Sequence, residues 1–89
     1  MVFEFDQNKS ASNKQKHGID FVEAQFLWLD YRRVEINART IGEPRKLLIA
    51  QWNDDIWSAI FTLRNDMIRI ISVRKSRNNE KEIYYSTKV

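Results

Sequence analysis

The residues best suited to chemistry are cationic, and most of them lie in the second half of the chain. They are Arg64, Arg69, Arg74, Lys75 and Arg77, together with Lys46 on a neighbouring predicted strand. A guanidinium group is permanently charged, and its forked N–H donors match the oxygens of a phosphate. The aromatic rings of Trp57, Tyr84 and Tyr85 could stack on unpaired bases. The alternative is a solvated sheet face whose arginine stems cover apolar neighbours.

The chain has one histidine, His17, directly before Gly18. Imidazole chemistry near neutral pH makes histidine well suited to act as a general base in RNA cleavage. A histidine at the C-terminal end of a helix also interacts favourably with the helix dipole and the free carbonyl groups. Both roles are compatible with the sequence.

The residue types argue against metal and nucleotide-triphosphate chemistry. One His, no Cys and scattered carboxylates do not form a ligand set for a metal ion. The two glycines are isolated, so no glycine-rich loop can cradle a triphosphate. The adjacent Asp54 and Asp55 are better explained as turn residues. We therefore expect no metal and no cofactor.

Length and composition place these residues in a single domain, residues 1–89. Of the 89 residues, 43% are hydrophobic and 30% are charged, which is close to globular averages. The net charge of +3 and the pI near 9.4 weakly favour an anionic partner. The chain has no Cys, no signal-peptide pattern and no apolar run approaching the roughly 20 residues of a membrane span. We therefore expect a cytoplasmic protein with no membrane partner.

The first part of the chain predicts a short strand and a polar helix. Alternation favours a strand over Phe3–Phe5. Asp6 is a suitable N-cap for a helix over Gln7–Lys16, and Gly18 supplies a left-handed stop. The polar stripe of this helix comprises Lys9, Asn13 and Lys16. The stripe is either solvated or in contact with phosphate or an acidic partner.

A second helix is predicted to begin with a capping-box-like pattern over Asp20–Glu23. Its apolar residues form two stripes, namely Phe21, Ala24 and Trp28, and Val22, Phe26 and Leu29. Together they are wider than packing on one small sheet needs. We therefore expect this helix to be the main core donor, and the excess of its apolar surface either to be buried in the domain's own core or to face a partner protein.

From Arg33 onward the apolar period changes from 3.6 to 2, which is typical of strands. The predicted strands are Arg33–Ala38, Arg45–Trp52, Ile56–Arg64 and Met67–Arg74, joined by the loop Arg39–Pro44 and by turns at Asn53–Asp55 and Asn65–Asp66. A short terminal helix is predicted to start at Asn79, with Glu82 completing its cap. The prediction is an α+β domain in the order β-α-α-β-β-β-β-α, with a curved antiparallel sheet and its helices on one side.

The register of the last hairpin decides how the arginines are grouped. A two-residue turn at Asn65–Asp66 places Thr62 opposite Arg69 and Trp57 opposite Arg74. Arg64, Thr62 and Arg69 would then lie on one face of the sheet, and Trp57 and Arg74 on the other. A three-residue turn would shift the register and regroup them.

Two blocks of residues resemble the BrnT family of toxins. The first comprises Phe5-Asp6, Lys9, Asn13 and Lys16-His17-Gly18-Ile19, followed by Phe21 and Ala24. The second comprises Arg64, Ile68-Arg69-Ile70-Ile71-Ser72-Val73-Arg74, and Arg77 with Glu80 and Tyr84. Two positions depart from the family pattern, because Leu63 stands where relatives often carry Tyr, and Lys75-Ser76 replaces a more arginine-rich pair.

The resemblance implies a RelE-like fold and a ribonuclease toxin of a type II toxin–antitoxin pair that blocks translation. Its substrate would be RNA, free or bound to the ribosome. A BrnA-like antitoxin would neutralise it and would alone contact operator DNA. The alternative is a non-catalytic module whose basic sheet face binds nucleic acid or an acidic protein segment.

Metal-free RNA cleavage needs a base for the 2′-hydroxyl, cations at the phosphorane and an acid for the leaving oxygen. Under this interpretation Arg64 and Arg74 stabilise the charge of the transition state. The residues assigned to RNA binding are Arg69, Arg77, Lys75 and Trp57. The candidates for proton transfer are Lys46, Tyr84 and His17. The antitoxin is expected to contact Phe26, Trp28 and Leu29.

Overall fold

The computed structural model describes residues 1–39 and 42–86. Its strands are β1 (Val2–Glu4), β2 (Val34–Ala38), β3 (Arg45–Trp52), β4 (Asp55–Arg64) and β5 (Met67–Lys75). Its helices are α1 (Gln7–His17), a 3₁₀ helix (Glu23–Leu29) and α2 (Asn78–Ser86). The predicted α+β class and the order of elements are confirmed. No helix in the described ranges is long and apolar enough to cross a membrane.

The strands form an open sheet in the order β1-β5-β4-β3-β2. β2 to β5 make the predicted antiparallel meander, whereas β1 pairs with β5 in parallel, so the sheet is mixed. The hairpin turns are two residues long, and their φ angles are 54° and 69° at Asn53 and Asp54, and 49° and 64° at Asn65 and Asp66. Asn and Asp tolerate this left-handed region, which matches the twist of the strands. Asp55 belongs to β4 instead of the turn.

One face of the sheet is covered by α1 and the 3₁₀ helix. Its buried core comprises Ile19, Phe21, Ala24, Leu27, Trp28, Leu48, Ala50, Trp57, Ala59, Phe61, Ile68, Ile70 and Val73. Trp28 packs edge-on against Phe61, with ring centroids 5.2 Å apart, and against Phe3 at 5.1 Å. The segment around the 3₁₀ helix is therefore the main core donor, as predicted.

The opposite face has a smaller core of its own. It comprises Leu47, Ile49, Ile56 and Tyr84, with Val34, Ile36, Ala38, Ile60 and Ile83 packed at its edge. Successive side chains of a strand point to opposite faces, so Leu47 and Ile49 face away from Leu48. The prediction that the helices share one side is therefore wrong. α2 covers the second face because that face also carries apolar side chains that need burial.

The polar helix α1 docks through hydrogen bonds instead of an apolar stripe. The Asn13 side chain is buried, and its Nδ2 donates to the carbonyl oxygens of Ile19 and Val73 at 2.8 and 2.9 Å. The Val73 amide donates back to Asn13 Oδ1 at 3.2 Å, and the Phe21 amide donates to Ser10 Oγ at 2.9 Å. Each buried polar group is thereby satisfied, which explains how a helix with so few apolar residues packs on the sheet.

The ends of the helices follow their capping residues. Gly18 has φ 79° and ends α1, as predicted. Asp20 and Glu23 form a reciprocal capping box, in which the Glu23 amide donates to Asp20 Oδ1 at 2.7 Å and the Asp20 amide to Glu23 Oε1 at 3.0 Å. α2 starts at Asn78, one residue earlier than predicted. Its first turn is capped by Glu80, which accepts from the Arg77 amide at 2.8 Å.

Candidate functional site

A β-bulge in β5 decides which cationic side chains share a face. The β4–β5 register runs from Arg64↔Met67 to Phe61↔Ile70, as expected for a two-residue turn. Beyond that point the pairing shifts, which leaves Ile71 as an extra residue in β5. An extra residue reverses which side chains point to each face for the rest of the strand.

Because of the bulge, Arg74 lies opposite Ser58, and Lys75 lies opposite Trp57. The predicted pairing of Trp57 with Arg74 is therefore wrong. Arg74 shares the face of Arg69 instead of lying behind it. Lys75 takes the other face, where its Nζ lies 6.0 Å from the centroid of the Trp57 ring.

Arg45 joins this face from β3, and sequence reasoning missed it. Arg45 is two positions before Leu47 in β3, so both side chains point to the same face. Leu47 pairs with Ile60, which lies on the face of Arg64. Alternation along β3 could have placed it, once the pairing of β3 with β4 was known. α2 packs on the other end of this face, near Ile49. The β4–β5 hairpin end therefore stays open.

Glu43 lies among these arginines and was also missed. Its Oε2 accepts from Arg64 Nε at 2.9 Å and its Oε1 from Arg64 Nη2 at 3.2 Å. These hydrogen bonds lower the pKa of Glu43, and the charges of Arg45 and Arg69 act in the same direction. Both members of the pair are exposed, at 48% for Arg64 and 39% for Glu43. We call Arg45, Arg64, Arg69 and Glu43 the arginine cluster.

The segment that carries Glu43 is tied to the sheet by one buried hydroxyl. Thr62 is buried, and its Oγ1 donates to the carbonyl oxygen of Pro44 at 2.7 Å. Thr62 lies two residues before Arg64 and opposite Arg69. The bond therefore holds the chain next to Glu43 against the strand that bears Arg64.

Arg69 connects the arginine cluster to the start of α1. Its Nη1 lies 3.6 Å from Glu4 Oε1, and its side chain is 31% exposed. Asp6, the N-cap of α1, accepts from the amides of Asn8 and Lys9 at 2.8 and 3.0 Å. The Lys9 hydrogen bond is the main cause that lowers the pKa of Asp6, and the charge of Arg69 adds to it.

Arg74 is held differently, by a buried carboxylate. Its Nη1 and Nη2 donate to Glu80 Oε1 and Oε2 at 2.7 and 2.8 Å. Glu80 Oε1 also accepts from Ser58 Oγ at 2.9 Å, and Ser58 Oγ lies 2.7 Å from Ser76 Oγ. The Arg74 hydrogen bonds, above all, lower the pKa of Glu80 to about 2. This network fastens α2 to the sheet through Arg74.

Tyr84 is a structural residue as well. Its side chain is fully buried, and its hydroxyl donates to Asp30 Oδ2 at 2.7 Å. The Gln51 amide donates to the same oxygen at 2.8 Å. Burial, and then the bond to Asp30, raise the pKa of Tyr84. Tyr84 is therefore unsuited to proton transfer, contrary to its assignment from sequence.

Two further assignments fall on the wrong face. Lys46 pairs with Phe61 on the face of α1, where its Nζ lies 3.9 Å from Glu35 Oε1. Trp57 is buried there, and its Nε1 donates to the carbonyl oxygen of Trp52 at 3.1 Å. Neither side chain reaches the arginine cluster, because alternation directs both away from it.

Lys75 and Arg77 lie beyond the cluster. Lys75 is exposed, and its Nζ lies 3.8 Å from Asp55 Oδ2. Arg77 is exposed at the start of α2, and its backbone amide donates to Glu80. The structure therefore gives neither residue a contact with Arg64 or Arg69.

His17 lies in a groove between α1 and the bulge of β5. The groove has a volume of about 380 Å³ and is lined by Asn8, Lys9, Ser12, Asn13, Lys16, His17, Ile71 and Ser72. Lys9, Lys16 and His17 are exposed. The residues of the predicted polar stripe of α1 therefore have different roles. Asn13 is buried and bonds the helix to the sheet, whereas Lys9 and Lys16 are exposed and line the groove.

The apolar residues beside the 3₁₀ helix divide in the same way. Trp28 is buried, so it is unavailable to a partner without unfolding, contrary to its assignment. Val22, Phe26 and Leu29 are exposed at 60%, 50% and 70%. With Met1 they line an apolar groove of about 380 Å³. We call this surface the apolar groove.

The fold and the arginine cluster together define a small basic α+β domain with one open, arginine-bearing sheet face. In residues 1–39 and 42–86, no group of three or more His, Cys, Asp or Glu side chains could hold a metal ion. The family of ribonuclease toxins called BrnT, of type II toxin–antitoxin systems, matches residues 5–80. The chain therefore belongs to the BrnT family. Comparison with curated proteins finds no significant match.

Proposed function

We propose that this protein cleaves RNA at the arginine cluster without a metal ion, and thereby blocks translation until an antitoxin covers the site. The observation that carries the proposal is the convergence of Arg45, Arg64 and Arg69 around the Glu43 carboxylate, on the part of the sheet that α2 leaves open. Permanently charged donors around one anion are the arrangement that a phosphate or phosphorane requires.

The exposed ion pair does not prevent RNA binding. Pairs between solvent-exposed side chains contribute little to stability, because water screens them and both side chains lose freedom. A phosphate with its forked acceptor oxygens can therefore replace Glu43 on Arg64. Arg74 offers no such exchange, because Glu80 is buried and also accepts from two other groups, the Ser58 hydroxyl and the Arg77 amide.

The proton that must leave the 2′-hydroxyl goes to Glu43 in this proposal. Glu43 is a carboxylate at neutral pH and can accept a proton, and the arginines that lower its pKa also make it a weaker base. The 2′-oxygen then attacks phosphorus and the bond to the 5′-oxygen breaks, which leaves a 2′,3′-cyclic phosphate. Arg64 and Arg69 stabilise the phosphorane, and the leaving oxygen takes a proton from water. None of the three candidates from the sequence lies in the arginine cluster, because Lys46 faces α1, Tyr84 is buried and His17 lies in the groove beside α1. His17 is the alternative base because it is exposed on a groove that opens beside β5.

The apolar groove supports the antitoxin part of the proposal. Val22, Phe26 and Leu29 present an exposed stripe, and each fully buried apolar side chain contributes roughly 1.5–3 kcal/mol. An antitoxin segment could anchor there while a carboxylate-bearing segment covers the arginine cluster. Binding of operator DNA would belong to the antitoxin.

The direct test incubates the purified protein with labelled single-stranded RNA, with and without ribosomes, and with EDTA in parallel. The expected result is cleavage that EDTA leaves unchanged, with 2′,3′-cyclic phosphate ends. Loss of activity in EDTA would contradict the metal-free mechanism. RNA binding without cleavage or translation arrest under any condition would favour the non-catalytic binding module.

A further inference from the structure

The groove between α1 and β5 carries cations that the fold does not use. Lys14, on the same helix, is paired with Glu23 at 2.7 Å. Among the described residues, no carboxylate lies within ion-pair distance of Lys9 or Lys16. These two lysines and His17 line one wall of the groove, and Ser72 lines the other.

The groove is also rigidly placed. Asn13 lies between Lys9 and Lys16 on the helix, and its side chain makes three hydrogen bonds, to Ile19 and to both backbone groups of Val73. These bonds fix α1 against the part of β5 that follows the bulge. The lysine side chains therefore project from a helix whose position does not depend on a ligand.

The groove adjoins the arginine cluster along β5. The Ser72 side chain points to the same face of the sheet as Arg69, because Ser72 pairs with Ile60 and Arg69 pairs with Thr62, two positions further along β4. The two residues are three positions apart, which is roughly 10 Å along a strand. The charges of Lys9, in the groove, and Arg69, in the cluster, both lower the pKa of the Asp6 carboxyl. Among the described residues, β1 pairs with β5 only at Met67, Ile68 and Arg69, so one RNA strand can pass around the edge of β5 at Ser72, from the side of α1 to the face of Arg69.

We propose that this groove is a second phosphate-binding site, which holds the RNA backbone next to the phosphate at the arginine cluster. Lys9 and Lys16 lie about two helical turns apart, and each neutralises one phosphate as a point charge. The volume of about 380 Å³ suits a segment the size of a nucleotide. The inference rests on the proposed function for its substrate, and it assigns the groove to binding instead of chemistry.

The experiment measures binding of a fluorescein-labelled single-stranded RNA of about 12 nucleotides. Its 2′-O-methyl groups block attack by the 2′-oxygen, so binding is separated from cleavage. The test variant is Lys9→Gln with Lys16→Gln. The control is Lys14→Gln with Lys81→Gln, which removes the same charge from exposed positions outside the groove. Circular dichroism confirms that both variants are folded.

Each phosphate contact on a single strand contributes about 0.7 to the slope of log K against log salt. The test variant should therefore lose about 1.4 from the slope, and its affinity should fall roughly 10–30-fold at 0.1 M salt. The control should bind like the wild type. On cleavable RNA the test variant should raise KM and leave kcat unchanged.

Wild-type affinity and slope in the test variant would overturn the inference, and so would equal losses in test and control. A loss of antitoxin binding with RNA affinity intact would also overturn it, because the groove would then be a protein contact. The combined variant Arg64→Gln and Arg69→Gln separates the two proposals. If that variant also binds RNA normally, the proposed function fails, whereas if it alone loses affinity, only the groove is excluded.

Discussion

Two arginine–glutamate pairs on the same sheet face show how one chemical motif serves different purposes. Arg64 contacts Glu43 at 2.9 and 3.2 Å, and Arg74 contacts Glu80 at 2.7 and 2.8 Å. Both are forked contacts between a guanidinium and a carboxylate. The carboxylates differ, since Glu43 is 39% exposed and Glu80 is 8% exposed.

The remaining hydrogen bonds make the difference larger. Glu80 also accepts from Ser58 and from the Arg77 amide, so removing it would leave several buried groups without partners. Glu43 lies at the surface with two further arginines acting on it, and water or phosphate can replace it. Burial of the carboxylate therefore distinguishes the Arg74 pair from the Arg64 pair, although both look alike in the sequence.

The largest expected effect on cleavage comes from replacing Glu43, the exposed carboxylate of the two pairs. Glu43→Gln keeps the size of the side chain but removes the base, so kcat should fall about 10²–10⁴-fold. His17→Gln is the comparison variant and should stay near wild-type activity. Full activity in Glu43→Gln together with an inactive His17→Gln would transfer the role of base to His17.

The pH dependence gives an independent check on the same residue. The base must be ionised, and the pKa of Glu43 is lowered from its ordinary 4.5. Cleavage should therefore rise with pH only below about 4.5 and stay level through neutrality. An acid limb near pH 6.5 would point to an imidazole instead.

The two arginines should respond differently to substitution. Arg64→Gln removes a donor to the transition state, so cleavage should fall about 10²–10³-fold while the melting temperature stays unchanged. Arg74→Lys keeps the charge but loses the fork, so it should lower the melting temperature and retain most activity well below it. Equal loss of activity in both folded variants would contradict the proposed difference between Arg64 and Arg74.

Stability should depend on the buried pair. Glu80→Gln leaves Arg74 without its counter-charge, and breaking a buried pair of this kind costs about 3 kcal/mol. For a domain of this size the melting temperature should fall by roughly 12–24 °C. Glu43→Gln is the matched control, measured by the same thermal unfolding. A similar fall in the control would show that exposure does not separate the pairs.

The smallest expected effect is the acid dependence of stability in the wild type. The folded-state pKa of Glu80 is lowered to about 2 from an ordinary 4.5, so its contribution is complete above pH 4.5 and is lost as pH falls toward 2. From this group alone, the unfolding free energy should fall by about 2 kcal/mol between pH 7 and pH 3. Denaturant titrations of wild type and Glu80→Gln measure it, and the variant should lack this component.

Local signals in the sequence determined much of the fold. Paired Asn and Asp residues predicted both tight turns, and Gly18 predicted the end of α1, because these residue types tolerate positive φ. Alternation predicted the meander, and the wide apolar surface around Phe26 predicted both a core donor and an exposed remainder. Arg64 and Arg69 were assigned to the same face through the two-residue turn, which is a local property.

Tertiary structure alone decided which side chains form the site. The bulge at Ile71 places Arg74 on the face of Arg69, and no residue type in β5 predicts a bulge at this position. Glu43 and Arg64 form a hydrogen-bonded pair although they are 21 positions apart in the sequence. The Tyr84 hydroxyl is bonded to Asp30, which is 54 positions away. Turns and caps depend on neighbours along the chain, which the sequence displays. Side-chain burial and pairing depend on register and packing between distant segments, which become defined only when the sheet and its two cores assemble.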